Sequence, residues 1–282
     1  MHGPAILAAT MSTPQDRGKA KTSWQYHSQS DRHSKVACWG VLYDLLRTSA
    51  LLRKHAEEKK IVFGINFKMN DYANDREKDL DLVIARPSGS ASFSKDKTFV
   101  ELAEKWDIEL TSTQRSELLA LPAIMRGQLA GAGVQIALEA KASMTAHVKA
   151  LPRLYDELNS SHQMIHGASS HALAVGMVIV NVADTFISPK KQVSRRRLVV
   201  SRHNQPAAAE ATIAKVKKIR RRTTASEAGF DGLGIIAIDL KNDGTPVTLA
   251  TDPPAPQPGS IFYYDDMLVR IANEYDASFS SI

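Results

Sequence analysis

The chain has 282 residues, 43% hydrophobic, 23% charged and 6% aromatic, which excludes a wholly disordered, collagen-like or coiled-coil protein and leaves room for one large domain or two small ones. Its single cysteine, Cys38, excludes a disulfide framework and a cysteine-rich zinc module and fits a reducing, cytoplasmic setting, and no apolar run approaches the roughly 18–20 residues of a membrane span. The formal charge of +6 is unevenly spread: 190–222 holds twelve Lys or Arg against one acid, Glu210, and so carries +11 while the remainder is net acidic, a concentration that points to a polyanionic partner, most commonly nucleic acid.

Residues 1–35 are rich in Ser, Gln, His and Lys without a sustained apolar period. They read as a mobile polar tail, and their apolar stretch at 4–9 is too short, with no Lys or Arg before it, for a secretory signal. From 37 to about 60 the apolar residues fall on one helical face, with charges crowding the end. Residues 61–67 predict a strand, 70–78 a polar turn, and 80–85 a second strand stopped by Pro87. A small-residue linker at 88–94 precedes two helices, at about 96–107 and 112–129, the second broken by Gly131 and Gly133. Alternation predicts a strand at 134–141. A long amphipathic helix follows from 145 or 146, ending before Gly167 and carrying Pro152 as a potential bend. The continuous apolar run at 172–182 is a strand buried on both faces. The basic segment supplies a helix at 207–222, and 234–240 is a further strand. A turn at 242–245, a short returning strand at 247–250, a stiff proline-rich stretch at 252–258 and a last amphipathic helix at 264–275 complete the chain. The expected fold is α/β, with a central mixed sheet flanked by helices. Its core spans 36–189 with a helical insert at about 88–131, and 190–282 forms a basic segment with a small α/β supplement.

Strand alternation puts Glu139 and Lys141 on one face, opposite Leu138 and Ala140. A charged pair at the end of a buried strand is costly unless a ligand, metal or solvent-filled cleft receives it. The earlier strand carries Asp79 and Asp81, again two apart. If the two strands are neighbours, an Asp, a Glu and a Lys converge at one sheet edge. Two carboxylates and a backbone carbonyl, that of Ala140, supply the hard oxygen ligands Mg²⁺ prefers. Such a group suits metal-assisted hydrolysis of a phosphodiester, with the lysine orienting or deprotonating the attacking water and offsetting charge on phosphorus. Glu57/Lys59 and Glu58/Lys60 repeat the Glu-x-Lys spacing, but on a solvated helix end.

Asp81-Leu-Val-Ile and Glu139-Ala-Lys141, in helix–strand–strand–strand–helix–strand order, resemble the PD-(D/E)xK nuclease superfamily, which includes many restriction endonucleases. The resemblance covers roughly 37–185. It implies that Asp81 and Glu139 are metal ligands, that Lys141 is the catalytic lysine, and that the activity is Mg²⁺-dependent cleavage of double-stranded DNA, of the type II restriction kind. Alternatives are a structure-specific repair or recombination nuclease and a non-catalytic DNA-binding protein. Lys149 and Arg153 on the helix after Lys141, with Arg195, Arg196, Arg197, Arg220, Arg221 and Arg222, are the candidate phosphate contacts. A homodimer would bring two active sites to a symmetric duplex.

Rival chemistries lack their motifs. There is no Gly-x4-Gly-Lys-Ser/Thr loop and no Gly-x-Ser-x-Gly elbow. His162 and His166 stand four apart, but Gln163 follows His162 where a zinc-protease helix carries Glu. Cys38, beside Trp39 in an apolar helix, reads as core.

Overall fold

The computed structural model describes residues 1–17, 22–71, 75–87, 98–127, 129–189, 198–224 and 227–282. Its frame is a six-stranded mixed sheet with helices on both faces. The strands are β3 (Val62–Asp71), β4 (Arg76–Pro87), β5 (Leu129–Ser143), β6 (Leu173–Asn181), β9 (Gly232–Asp239) and β10 (Thr248–Leu249), in spatial order β10-β9-β6-β5-β4-β3. β3, β4 and β5 form an antiparallel meander, whereas β5, β6 and β9 run parallel. Two small antiparallel pairs lie apart from the sheet, β1 (Gln15–Arg17) with β2 (Thr22–Trp24) and β7 (Thr185–Ile187) with β8 (Val200–Arg202).

The two parallel links, β5 to β6 and β6 to β9, need crossovers, and these supply the second of the two helical layers. On one face α1 (Gly3–Ser12), α2 (Arg32–Thr48), α3 (Ala50–Glu57), α4 (Phe99–Lys105), α5 (Ser112–Ala120) and α8 (Tyr264–Ser278) share a core with Leu82, Ile84, Ile136, Leu138 and Val175. On the other, α6 (His147–Ala168) and α7 (Ala207–Val216) pack over Val83, Ala137, Ala174 and Val178. All nine residues of β6 are buried, as expected of an apolar run between two helical layers.

Four expectations are corrected. The first is the N-terminal tail: residues 3–12 are helical and bury Ile6, Leu7 and Met11. Packed between α2 and β10, this helix is apolar around its girth and shows no amphipathic period. It runs antiparallel to α2, which holds it at both ends. Asp44 accepts the N–H groups of His2 (2.9 Å) and Gly3 (2.7 Å) at the electropositive end, and Arg32 donates to the carbonyls of Thr10 (2.7 Å) and Thr13 (2.6 Å) at the other. The helices meet so closely that a Cβ at Gly40 would lie 2.9 Å from Gly3 Cα.

Second, the helix expected over 37–60 is two. It breaks at Ser49, whose extended backbone ends α2 and whose hydroxyl accepts from Leu52 N–H (2.9 Å) to cap α3. Third, the insert's second helix stops at Ala120 rather than 129, because Pro122 biases Leu121 away from helical geometry. The glycines at 131 and 133 then fall inside β5. Fourth, 190–282 is not a supplement. β9 lies between β6 and β10 in the same sheet, and Leu268, Ile271 and Tyr275 of α8 join the same core as α2. The expected linker at 88–94 lies outside the described residues.

Candidate active site

β4 and β5 pair from Pro87↔Leu129, through two shifts of register, to Leu82↔Leu138, and there the ladder ends while β5 continues beside β6 to Ser143. At this fork the Asp81 carboxylate replaces a backbone acceptor: its Oδ2 takes the Ala140 N–H at 2.8 Å. Asp79 goes elsewhere. It is exposed and stands opposite Lys68 on the outer strand β3, so of the two aspartates only Asp81 meets the Glu-x-Lys strand.

Glu139 and Lys141 project toward α6, as alternation requires. Glu139 is 1% exposed. Its Oε1 lies 2.7 Å from Lys141 Nζ and 3.3 Å from Lys78 Nζ, while its Oε2 is buried with no hydrogen-bond partner. The Lys141 side chain keeps 28% exposure and reaches Glu157 Oε2 of α6 at 3.4 Å. Lys78 is tied to the same helix through the Glu157 carbonyl (2.9 Å) and the Ser161 hydroxyl. Glu157 is in turn held by Arg153 (2.5 Å). One carboxylate is thus sealed in the sheet, with a lysine that spans from it to solvent.

The electrostatics follow from burial and from crowding of like charges. Burial, then the Glu139 charge, raises the Asp81 carboxyl to about 6, against the lowering effect of the Ala140 N–H and Lys141. Burial pulls the Lys141 ammonium down, but Glu139, Glu157 and Asp81 more than offset it, so its pKa is raised and the lysine stays protonated. Lys78, for which burial and the Lys141 charge prevail, is lowered. Of the two roles expected for Lys141, this favours orienting water and balancing charge over taking a proton.

Asp81 therefore costs stability when ionised. An acid whose folded pKa of about 6 exceeds its unfolded value near 3.8 penalises the fold as pH rises between those values, and the penalty is complete above them. Asp81→Asn keeps an acceptor for Ala140 N–H and removes the charge. It is expected to stabilise the metal-free protein at pH 8 by roughly 1–3 kcal/mol and to leave it unchanged near pH 4. Urea unfolding at the two pH values checks this.

Among the described residues no three His, Cys, Asp or Glu side chains gather closely enough to form a metal cage. The two-carboxylate set nevertheless fits a hard divalent cation. Glu139 Oε2 is a buried acceptor with nothing to accept, and Asp81 is held near a like charge that such a cation would relieve.

The candidate phosphate contacts divide. Lys149 and Arg153 are exposed on α6, and Arg220 is exposed after α7. Arg221 is half-buried, its guanidinium 5.8 Å from the Phe262 ring centroid. Arg222 is corrected: it is 4% exposed, pairs with Asp231 (2.7 Å) and donates to the carbonyls of Ser170 (3.3 Å) and Ala172 (2.9 Å), so it is a fastening of the fold. Arg195, Arg196 and Arg197 lie outside the described residues. Lys215 of α7 stands 4.2 Å over the Tyr155 ring of α6, which sets the basic segment's helix beside the helix that carries Glu157. Cys38 is buried and its thiol is raised, by burial first and then by the Asp81 and Glu139 charges. His162 bonds Asn159 (3.3 Å) and His166 bonds the Gly229 carbonyl (2.9 Å).

Sequence reading missed Lys78 and Glu157. Lys78 sat in a presumed turn that is in fact the paired end of a long hairpin, Lys78 facing Met69. No helix of the described residues is long and apolar enough to cross a membrane. Comparison with known protein families, with curated proteins and with solved structures finds no match.

Proposed function

We propose that this chain is a Mg²⁺-dependent endonuclease that hydrolyses phosphodiester bonds in double-stranded DNA, of the type II restriction kind. The observation that carries the reading is the fork between β4 and β5. It brings Asp81, Glu139 and the main chain at Ala140 together, beside a protonated lysine that reaches solvent. The element order, helix–strand–strand–strand–helix–strand with α4 and α5 inserted between the second and third strands, supports the resemblance to the nuclease superfamily.

Asp81, Glu139 and the Ala140 carbonyl would hold the metal, which when bound polarises the phosphoryl oxygen and lowers the pKa of water. Glu139 fixes the Lys141 ammonium through Oε1, and Glu157 steadies it from α6. Lys141 then offsets the charge that develops on phosphorus and orients the attacking water. The exposed Lys149, Arg153 and Arg220 grip the backbone without reading bases. Cutting both strands of a symmetric site is most simply done by two such centres, which a homodimer would supply.

A non-catalytic DNA-binding protein is the second reading, favoured by the near-complete burial of Glu139 between two lysines. Incubation with supercoiled plasmid separates the two. The endonuclease converts it to nicked and linear forms with Mg²⁺ and not with EDTA, giving discrete fragments from a mixed-sequence plasmid. Cutting confined to branched or damaged substrates replaces the restriction reading by a repair nuclease. DNA binding in EDTA with no cutting in Mg²⁺ leaves only the binding protein.

A further inference from the structure

A polar cavity of about 340 Å³ opens at the other end of β5 from Glu139, a volume within the range of small-molecule sites. It lies where β5, β6 and β9 begin, and Arg86, Arg222 and Arg270 stand around it. Val134, Leu173 and Phe279 supply apolar lining. The cavity meets a local break in the sheet. Ile84 pairs with Ile136 and Ala85 with Val134, so Gln135 is an extra residue with no partner on β4. Such a bulge re-aims a side chain and recurs beside functional sites.

The re-aimed amide lines the cavity while being 2% exposed. Its oxygen is fixed: Tyr275 OH donates to Gln135 Oε1 at 3.0 Å and is itself bonded to His55 Nδ1 at 2.9 Å. Its nitrogen, Nε2, is buried with no hydrogen-bond partner, and so is Arg270 Nε. An unmet buried donor costs about 1–3 kcal/mol, and both of these belong to residues that line the cavity. Arg86 makes no ion pair among the described residues. Of the carboxylate side chains at the cavity, both oxygens of Asp231 are taken, by Arg222 and by Ala174 N–H, which leaves Glu274. Arg222 and Asp231 neutralise each other, Arg86 and Arg270 stand with Glu274, and the two unmet buried groups, Gln135 Nε2 and Arg270 Nε, are both donors.

We propose that this cavity binds a phosphorylated small molecule of nucleotide size. Arg86, Arg270 and the Gln135 amide would take the phosphate, and the apolar lining around Phe279 the ring system. Guanidinium forks match phosphate oxygens in pairs, and the space exceeds what a bare phosphate needs. The site is independent of the proposed nuclease centre and does not require that reading.

Calorimetric titration of the full chain with adenosine 5′-monophosphate, inorganic phosphate and adenosine tests it. The expected result is one site for the monophosphate, weaker binding of phosphate, and none of adenosine at the same concentration. Arg270→Gln, Gln135→Met and the exposed-side Arg86→Ala are each expected to weaken the monophosphate by about tenfold or more, with circular dichroism confirming that each variant is folded. Equal affinity for phosphate and the monophosphate overturns the nucleotide assignment. Absence of binding by both, or unchanged affinity in Arg270→Gln and Arg86→Ala, overturns the site.

Discussion

Lys141→Ala is expected to slow plasmid cleavage by on the order of 10²–10³-fold while leaving most of the affinity for duplex DNA in EDTA. The reasoning runs through the distances at the fork. Of the two lysines paired with Glu139, Lys141 is the one that also pairs with the Glu157 carboxylate, whereas Lys78 bonds the Glu157 carbonyl, and the raised pKa of Lys141 keeps it charged across the working range. Its loss removes positive charge where negative charge develops, and leaves Glu139 with Lys78 alone. Glu139→Gln is the companion variant. It preserves shape and one acceptor but releases two lysines from a buried carboxylate, so it too is expected to abolish cutting. It is also expected to cost stability, because unpairing a buried charge is penalised by about 3–5 kcal/mol in full and less when a polar group remains. The decisive measurement is the single-turnover cleavage rate, with filter-binding affinity and the urea midpoint measured on the same preparations. A Lys141→Ala protein that cuts at the parental rate sinks the assignment. One that is unfolded is set aside in favour of Lys141→Gln, whose retained amide can still reach Glu139.

The parts of this site visible in the sequence are those governed by strand periodicity. Alternation alone puts Glu139 and Lys141 on one face, and an unbroken apolar run identifies β6 as the central buried strand. The capping boxes at Thr98/Glu101 and Thr111/Gln114 start α4 and α5 close to where propensity places them. What stays hidden depends on departures from periodicity or on partners remote in the chain. Leaving the ladder at Leu138, rather than any feature of the Asp81 neighbourhood, selects Asp81 over Asp79. Lys78 alternates with acids in a hairpin end that is locally indistinguishable from a polar turn, and its meaning comes from Glu139 and α6, which lie 61 or more positions away. The bulge at Gln135 is silent in composition, since an inserted residue changes register and not residue type. Helix α1 escaped because its exposed positions, Ala5 and Ala9, are as apolar as its buried ones, which leaves no polar stripe to detect.

The arginines at 220–222 show the same limit. Three identical neighbours in a basic run read as one clamp, yet the short bridge that Arg221 makes beside Phe230 sends Arg222 inward to Asp231 and leaves Arg220 outside. Their substitutions are therefore expected to fail in opposite ways. Arg222→Ala leaves Asp231, itself 7% exposed, without its guanidinium. It also frees the carbonyls of Ser170 and Ala172 that tie the approach to β6 to the start of β9. A destabilisation of about 3–5 kcal/mol is expected, read as a fall in the urea midpoint with unchanged slope. Arg220→Ala is expected to change stability by no more than about 0.5 kcal/mol. On the proposed function it is expected instead to weaken DNA binding without regard to sequence, lowering the slope of log affinity against log salt by about 1. The pair Arg222→Met with Asp231→Leu separates the charge from the packing: a buried ion pair replaced by apolar side chains of similar volume is often neutral or better, so the double variant is expected to recover most of what Arg222→Ala loses. Failure to recover would shift the weight from the ion pair to the main-chain bonds: the carbonyls of Ser170 and Ala172, to which methionine cannot donate, and the Ala174 N–H, from which leucine cannot accept.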